Sequence, residues 1–391
     1  MKKELVIIYD TPAITHFQIM GSHNPEHYLQ FFERIRILYW SKEKQPLIFE
    51  KESGRIIFYP YERSYDSRYI SGLRFMFWIA KTLLELCQRE EKTQLVLLTL
   101  VPLWAGLPTL LVGKLKKKKT ILRLEAQKFE YLKEEAKLEG AVKSFLFFKL
   151  LILKLVYRLT IPFYDAVIGI SDGVTKEAKK YGAKKTITLP IQINLEPFLA
   201  GGKEKSHFPV LVYAGQIKKI KGLEDLISSL RLLEKQGIKP KLLLAGEITN
   251  PKDEAFMKKI KNLSQGLEIN FLGWLSHSAL AEVHSKADIF VLPSYTEALG
   301  MAMMEAMASG LAIISTKTSG GQYLIEEGKT GFLVEKGKPE QLKEKIKILI
   351  ENPVLRKSMG LAGKERIKKI MAEALQEEKI FWQELGISAK K

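Results

Sequence analysis

Short runs of apolar residues alternate with helical patterns along almost the whole chain. We predict twelve strands from these runs, in two series of six: residues 5–9, 55–59, 95–100, 120–124, 166–170 and 186–189, then 210–214, 241–245, 268–272, 289–293, 312–315 and 331–334. Most of these runs are largely apolar, which is typical of parallel strands covered by helices on both faces of a sheet.

Helical patterns fill the intervals between the predicted strands. One helix face is indicated by apolar residues at i, i+3, i+4, i+7 and i+10: Leu223, Leu226, Ile227, Leu230 and Leu233. Ser171 and Asp172 form a suitable cap for a helix at 174–181. From Pro339 onward the pattern is almost entirely helical.

A polar segment at 201–206 separates the two series and is typical of a linker. We therefore predict an α/β fold of two Rossmann-like, doubly wound parallel-sheet domains at 1–200 and 201–370. A helix at 371–391 is expected to pack back on the first domain. Ligands of such sheets bind at the carboxyl ends of the strands, so the predicted site is a cleft that both domains face.

Composition narrows the class of protein. The 391 residues are 46% hydrophobic and 27% charged, as in a folded globular protein. Cys87 is the sole cysteine, which excludes an internal disulfide framework and fits a reducing compartment. We see neither a signal peptide nor an uncharged apolar run of about 18 residues, so we expect a cytoplasmic protein without an ordinary transmembrane helix.

The net charge of +18 favours anionic partners. Between positions 113 and 163, thirteen Lys or Arg stand against five Glu, and the helix near 145–156 is strongly apolar. We predict that region 114–158 binds an anionic membrane surface, at the inner face of the cell membrane. A solvated lysine loop at 116–119 and a buried inter-domain helix are the alternatives. Basicity is the only feature that suggests nucleic acid, so we expect no such partner.

Several catalytic motifs are absent from the sequence. Neither Gly-x-Gly-x-x-Gly nor Gly-x-Ser-x-Gly occurs. Gly328-Lys329-Thr330 is similar to the end of a P-loop, but Tyr323 stands where the first glycine belongs. No two aspartates have Asp-x-Asp spacing, and His23 and His27 lack the zinc signature, so we predict no metal site.

The richest segment runs from position 287 to 334. A strand ends at Pro293, a short loop carries Glu297, and Gly300 precedes a helix predicted at 301–309 that contains Glu305. Backbone N–H groups at a helix start bind phosphates. Carboxylate oxygens accept hydrogen bonds from sugar and ribose hydroxyls. This pattern suits a nucleotide-sugar.

The spacing of Glu297 and Glu305 matches a Glu-x7-Glu motif. Segments 212–223, 271–277, 320–321 and 328–334 also match, in order, the pattern of one family. Over about 165–370 the chain resembles the retaining glycosyltransferases of family 4, also called glycosyltransferase group 1, which have the two-domain GT-B fold. Residues 1–164 resemble that family only in their strand–helix rhythm.

The resemblance implies a role for each matching position. Lys221 would neutralise the diphosphate leaving group and Glu297 would contact the transferred sugar, so both are the implied catalytic residues. The implied donor-binding residues are Gly215, Gln216, Lys218, Gly246, Gly273, Trp274, Ala298, Leu299, Gly300, Met301 and Glu305. The donor would be a UDP-, GDP- or ADP-linked sugar, the acceptor a glycan or lipid-linked molecule, and neither a metal nor another cofactor would be needed.

Two positions depart from the family pattern. Gln216 stands where the family usually has an arginine that grips the diphosphate. The strand at 120–124 runs into Glu125 without the histidine often found there. A sugar-nucleotide epimerase and a non-catalytic nucleotide-sugar-binding homologue therefore remain alternatives. His277 and His284 are expected to be structural, and loop 10–21 is expected to contact the acceptor.

Overall fold

The computed structural model describes residues 2–9, 25–41, 49–52, 54–62, 68–89, 93–140, 143–200, 209–248 and 251–387. The predicted linker at 201–206, the loop at 10–21 and His23 lie outside these ranges. The chain forms two compact units. The first contains Met1–Gln127, Phe147–Ile193 and Glu373–Lys391, and the second contains Lys128–Leu146 and Asn194–Ala372.

The helices are as follows: α1 Arg68–Arg89, α2 Gly106–Leu115, α3 Lys128–Glu139, α4 Lys143–Thr160, α5 Asp172–Lys180, α6 Glu196–Ala200, α7 Leu223–Glu234, α8 Pro251–Leu263, α9 His277–Ser285, α10 Met301–Ala308, α11 Ser319–Leu324, α12 Pro339–Glu351 and α13 Pro353–Glu384. Short 3-10 turns cover Pro25–Gln30, Ile161–Phe163 and Lys219–Lys221. The helices expected from the face of Leu223 to Leu233 and from the cap at Ser171 both form, as α7 and α5.

The first unit contains an eight-stranded sheet. Its strands are β1 Lys3–Ile8, β2 Arg34–Ser41, β3 Phe49–Lys51, β4 Ile56–Glu62, β5 Gln94–Thr99, β6 Lys119–Leu124, β7 Ala166–Gly169 and β8 Thr186–Thr188. The spatial order is β3-β4-β2-β1-β5-β6-β7-β8. All neighbouring pairs are parallel except β3 and β4.

Two strands of this sheet, β2 and β3, were not predicted by the apolar runs. In β2, Arg34 and Arg36 break the apolar pattern. Arg36 is nevertheless buried, because its Nε donates to Glu4 on β1 at 2.8 Å and its Nη1 donates to the Tyr59 hydroxyl on β4 at 2.6 Å. A paired charge can thus occupy a central strand that a search for apolar residues overlooks.

The second unit contains a six-stranded, fully parallel sheet. Its strands are β9 Val210–Ala214, β10 Lys241–Ala245, β11 Ile269–Gly273, β12 Ile289–Leu292, β13 Ala312–Thr316 and β14 Gly331–Val334. They follow the order β11-β10-β9-β12-β13-β14. All six coincide with predicted strands to within a residue at each end. The strand order reverses between β9 and β12, and such a switch point is where doubly wound sheets bind ligands.

The chain end contributes to the core of the first unit. Phe381, Trp382, Leu385 and Ile387 are buried in one cluster with side chains of the β1 and β2 region. The Trp382 ring lies 5.1 Å from the Phe32 ring in an edge-to-face arrangement, and its indole N–H donates to Glu378 at 3.1 Å. The first unit is therefore assembled from segments far apart in the sequence.

Across the described ranges, the helices are all too short or too polar to cross a membrane.

Candidate donor site in the second unit

Lys221 and Glu297 meet at the switch point of the second sheet. Lys221 ends the turn after β9, and Glu297 lies in the loop after β12. The Lys221 Nζ donates to the Glu297 Oε2 at 2.7 Å, and both side chains are half-buried. Ser294 also donates to the same oxygen, at 3.4 Å. A cation and a carboxylate are thus held together at the carboxyl ends of two neighbouring strands.

Close backbone packing fixes the two loops against each other. The Tyr295 N–H donates to the Ile220 carbonyl at 2.8 Å. Gly222 has φ of 70°, and a Cβ added there would lie 2.0 Å from the Pro293 carbonyl oxygen. A glycine is therefore required at this position, both for its left-handed backbone and for the space.

The loop that carries Glu297 is also held from the other side. The Gly320 N–H at the start of α11 donates to the Glu297 carbonyl at 2.8 Å. A Cβ at Gly320 would lie 2.3 Å from the Leu299 carbonyl oxygen. Gly300, with φ of 89°, is the N-cap of α10, and Met301 is the first helical residue. The segment from Ala298 to Met301 therefore leads from a fixed loop directly into a helix start.

Glu305 occupies the second turn of α10 and is 6% exposed. Its Oε1 lies 3.2 Å from the Nε2 of His277, the first residue of α9. The bond to Glu305 raises the pKa of His277 above its usual value, although partial burial of the ring opposes this. His277, which the sequence predicts to be structural, therefore contacts the Glu305 carboxylate directly.

His284 lies two turns further along α9 and is fully buried. Its Nδ1 lies 3.2 Å from the Ser309 hydroxyl, and that hydroxyl donates to the Glu305 carbonyl at 3.0 Å. Burial lowers the pKa of His284 to about 4. The ring of Phe198, from α6, contacts both histidines at centroid distances of 6.0 and 5.4 Å.

Three predicted glycines lie at the ends of adjacent strands. The Gly215 N–H donates to the Ala245 carbonyl at 3.2 Å, and the Gly246 N–H donates to the Gly273 carbonyl at 2.8 Å. A Cβ at Gly246 would approach the Gly215 carbonyl oxygen to 2.5 Å. Trp274 follows Gly273 and is 69% exposed, so its ring is available to a ligand rather than packed in the core.

The loop after β9 also borders an open groove. Lys218 and Lys219 line it together with Tyr131 and Glu135 of α3 and side chains of α8. The groove encloses about 1020 Å³. Gln216, where the family pattern has arginine, is exposed, and its backbone carbonyl accepts from the Tyr213 hydroxyl at 2.9 Å. Gln216 is neutral, and the positive charges nearest to it in the sequence are those of Lys218 and Lys219.

Other candidate residues have different surroundings. Lys329, in the segment similar to a P-loop end, pairs with Glu326 at 2.8 Å and is largely exposed. Glu125 belongs to the first unit, where its carboxylate lies 3.5 Å from Arg123. His27 pairs with Glu378 at 2.5 Å. Within the described ranges, no group of three or more His, Cys, Asp or Glu side chains is placed to hold a metal ion.

The surface of α4 is apolar and accessible. Six of its side chains are at least half exposed: Phe147, Phe148, Leu151, Ile152, Leu155 and Leu159. Their spacing places them along one stripe of the helix, whereas Tyr157 and Thr160 face the protein. We call this stripe the α4 apolar stripe. These side chains are left uncovered by the rest of the first unit, to which residues 147–160 belong.

The fold identifies the structural class of the protein. Two parallel-sheet α/β domains form the GT-B architecture of glycosyltransferases, as predicted. Sucrose-phosphate synthase from Thermosynechococcus elongatus superposes with a TM-score of 0.76 at 17% identity, over 98% of this chain and all of that one. Anabaena Alr3699/HepE in complex with UDP and glucose superposes with a TM-score of 0.71 at 13% identity, over 97% and 99% of the two chains.

The match to a known sequence family lies in the second unit. Residues 199–366 match the family model of the glycosyl transferases group 1. The chain is 31% identical over 178 residues to the capsular polysaccharide biosynthesis glycosyltransferase CapM of Staphylococcus aureus. That match spans 45% of this chain and 44% of CapM, so less than half of the curated relative is covered.

Proposed function

We propose that this protein is a retaining glycosyltransferase that moves a sugar from a nucleotide-diphosphate sugar to a glycan or lipid-linked acceptor. The observation that carries the proposal is the Lys221–Glu297 pair, with 2.7 Å between Nζ and Oε2, at the switch point of a parallel sheet. The second domain would hold the donor and the first the acceptor.

The chemistry follows from where these charges lie. Transfer breaks the bond between the sugar and the diphosphate and forms one between the sugar and an acceptor oxygen, and the proton of that acceptor hydroxyl passes to the departing diphosphate. The departing diphosphate gains negative charge, which Lys221 and the N-terminus of α10 would stabilise. Glu297 would then be released from Lys221 and accept hydrogen bonds from the sugar hydroxyls. Glu305 would accept both ribose hydroxyls, and Trp274 would offer its exposed ring to the nucleotide.

The substrates are proposed by likeness. The HepE structure holds UDP and glucose, so UDP-sugars are the first donors to test, ahead of GDP- and ADP-sugars. The name of CapM places that protein in capsular polysaccharide biosynthesis, which favours a glycan acceptor here. Because the proposed charge stabilisation comes from Lys221 and α10, the reaction would need no metal ion.

A thermal-shift screen of UDP, GDP, ADP and CMP with their sugars tests the donor assignment. A ligand of the native state raises the unfolding midpoint by mass action. We expect a shift with one nucleotide that is lost in Glu305→Ala. No shift with any nucleotide at millimolar concentration would refute the proposal and leave a homologue without donor binding.

Turnover separates a transferase from the alternatives. We expect Lys221→Ala to lower turnover by about 100-fold or more, because it removes charge stabilisation of the leaving group. Lys235→Ala, which removes an exposed lysine at the end of α7 in the same domain, is the matched control and should keep wild-type turnover. Interconversion of the donor sugar without any acceptor would instead identify an epimerase.

We also propose that the α4 apolar stripe binds an anionic lipid surface. The stripe is flanked on the helix by Lys149, Lys154 and Arg158, and the lysine run 116–119 precedes it in the chain. Two contributions stabilise a helix at a membrane surface. Apolar side chains are buried in the headgroup region, and basic side chains attract anionic headgroups. This arrangement fits a lipid-linked acceptor.

Co-sedimentation with phosphatidylglycerol vesicles at low salt tests this surface. We expect binding that weakens in Leu151→Glu and with added salt, and little binding to phosphatidylcholine. Leu361→Glu alters an equally exposed leucine of α13 and should bind as wild type. If the wild-type protein stays in the supernatant, the stripe does not bind lipid.

A further inference from the structure

Two histidines of α9 hold Glu305 from opposite ends of the residue. His277 contacts the carboxylate, with 3.2 Å between Nε2 and Oε1. His284 contacts the Ser309 hydroxyl, which in turn donates to the Glu305 carbonyl. Positions seven apart lie on one face of a helix, so α9 presents both rings to α10. Neither histidine belongs to the Glu-x7-Glu motif.

The residues around His277 fix its position next to Glu305. Ser276 caps α9 by accepting from the Ala279 N–H at 3.3 Å, which fixes the start of the helix where His277 lies. The Phe198 ring packs edge-on against the imidazole. Glu305 is 6% exposed, so few solvent molecules compete for its carboxylate.

We propose that His277 is a positioning residue that orients the Glu305 carboxylate toward the two hydroxyls of the donor ribose. The inference rests on the proposed function and extends it. A free glutamate side chain rotates about its last bond, whereas a vicinal diol needs two acceptor lone pairs in fixed directions. The contact with His277 fixes one oxygen and thereby sets the plane of the carboxylate. His277 acts through Glu305 and contacts no reacting atom.

The test compares two ligands on three proteins. The dissociation constants of UDP and of 2′,3′-dideoxy-UDP, which lacks both ribose hydroxyls, are measured by calorimetry on wild type, His277→Ala and His277→Gln. We expect His277→Ala to weaken UDP binding by about three- to tenfold, the effect of one net hydrogen bond, and to leave the dideoxy ligand unchanged. His277→Gln should restore UDP affinity, because its Nε2 donor replaces that of histidine.

The outcomes distinguish this inference from the proposed function. Equal weakening of both ligands in His277→Ala would mean a general structural role and would overturn the inference. Unchanged UDP affinity in that variant would overturn it as well. If wild type binds UDP, GDP and ADP equally poorly, the donor assignment itself fails and the role of His277 fails with it. Glu282→Gln, an exposed change on the same helix, is the control and should match wild type.

Discussion

At the scale of single residues, His284 couples the stability of the second unit to pH. The ring is fully buried, and burial lowers its pKa to about 4 from an ordinary value of 6.5. The unfolded chain therefore binds a proton more readily than the folded one below pH 6.5. The contribution to stability is fully present above pH 6.5 and is lost as pH falls from 6.5 toward 4.

We therefore expect unfolding by urea to become easier between pH 7 and pH 4.5, with His284 accounting for roughly 3 kcal/mol over its full titration. The variant His284→Phe keeps an aromatic ring without a titratable group. Its denaturation midpoint should change less over the same pH interval than that of wild type. Equal pH dependence of the two proteins would assign the acid sensitivity to other groups.

Local spacing placed Glu297 in the loop after a strand and Glu305 inside the next helix, as the structure has them, whereas Lys221 was singled out through the family resemblance. The contact of His277 with Glu305 could not be predicted in this way. It joins two helices separated by β12, and it depends on how α9 crosses the sheet. Nothing in the sequence around position 277 distinguishes a histidine that supports a carboxylate from one exposed at a helix start.

At the scale of elements, the turn between β9 and α7 has little tolerance for change. Gly222 and Gly237 both have left-handed backbones, with φ of 70° and 78°. An added Cβ would lie 2.0 Å from the Pro293 carbonyl oxygen at Gly222 but would meet nothing within 4 Å at Gly237. The two positions therefore separate backbone strain from steric overlap.

Replacing each glycine by alanine tests this difference. Gly237→Ala should cost about 1–2 kcal/mol, the strain of a left-handed residue. Gly222→Ala should cost more than about 3 kcal/mol, because the loops after β9 and β12 must also move apart. The free energies of unfolding from urea titrations measure both. Similar losses in the two variants would show that the loops adjust freely.

The strands of the two sheets differ in how well the sequence predicts them. All strands of the second sheet coincide with predicted runs. β9, β10 and β12 are almost entirely buried and therefore need largely apolar side chains, whereas β11 at the sheet edge exposes Asn270. In the first sheet, β2 carries Arg36, whose charge is satisfied by Glu4 and Tyr59 on neighbouring strands. That compensation arises only once the sheet has formed, so it leaves no local pattern in the sequence.

At the scale of the whole molecule, the last helix completes the core of the first unit. Trp382 is fully buried against Phe32 and Phe381, whereas Trp274 is 69% exposed. We expect Trp382→Ala to destabilise the protein by about 3–5 kcal/mol, as for other large core truncations.

The matched variant Trp274→Ala should leave the melting temperature nearly unchanged, since its ring packs against little. Calorimetry of both variants measures the contrast. Loss of the same stability in the two proteins would contradict the assignment of Trp382 to the core.

The course of the chain also has a consequence for dissecting the protein. It passes from one unit to the other after Gln127, Leu146, Ile193 and Ala372, so four covalent connections join them. Cleavage at any one of these places would leave three, so the two units would still be joined covalently. A chimaera that receives the second unit from this protein must therefore include both 128–146 and 194–372. If only 194–372 were exchanged, α3 would come from the other protein and would not match the rest of the unit.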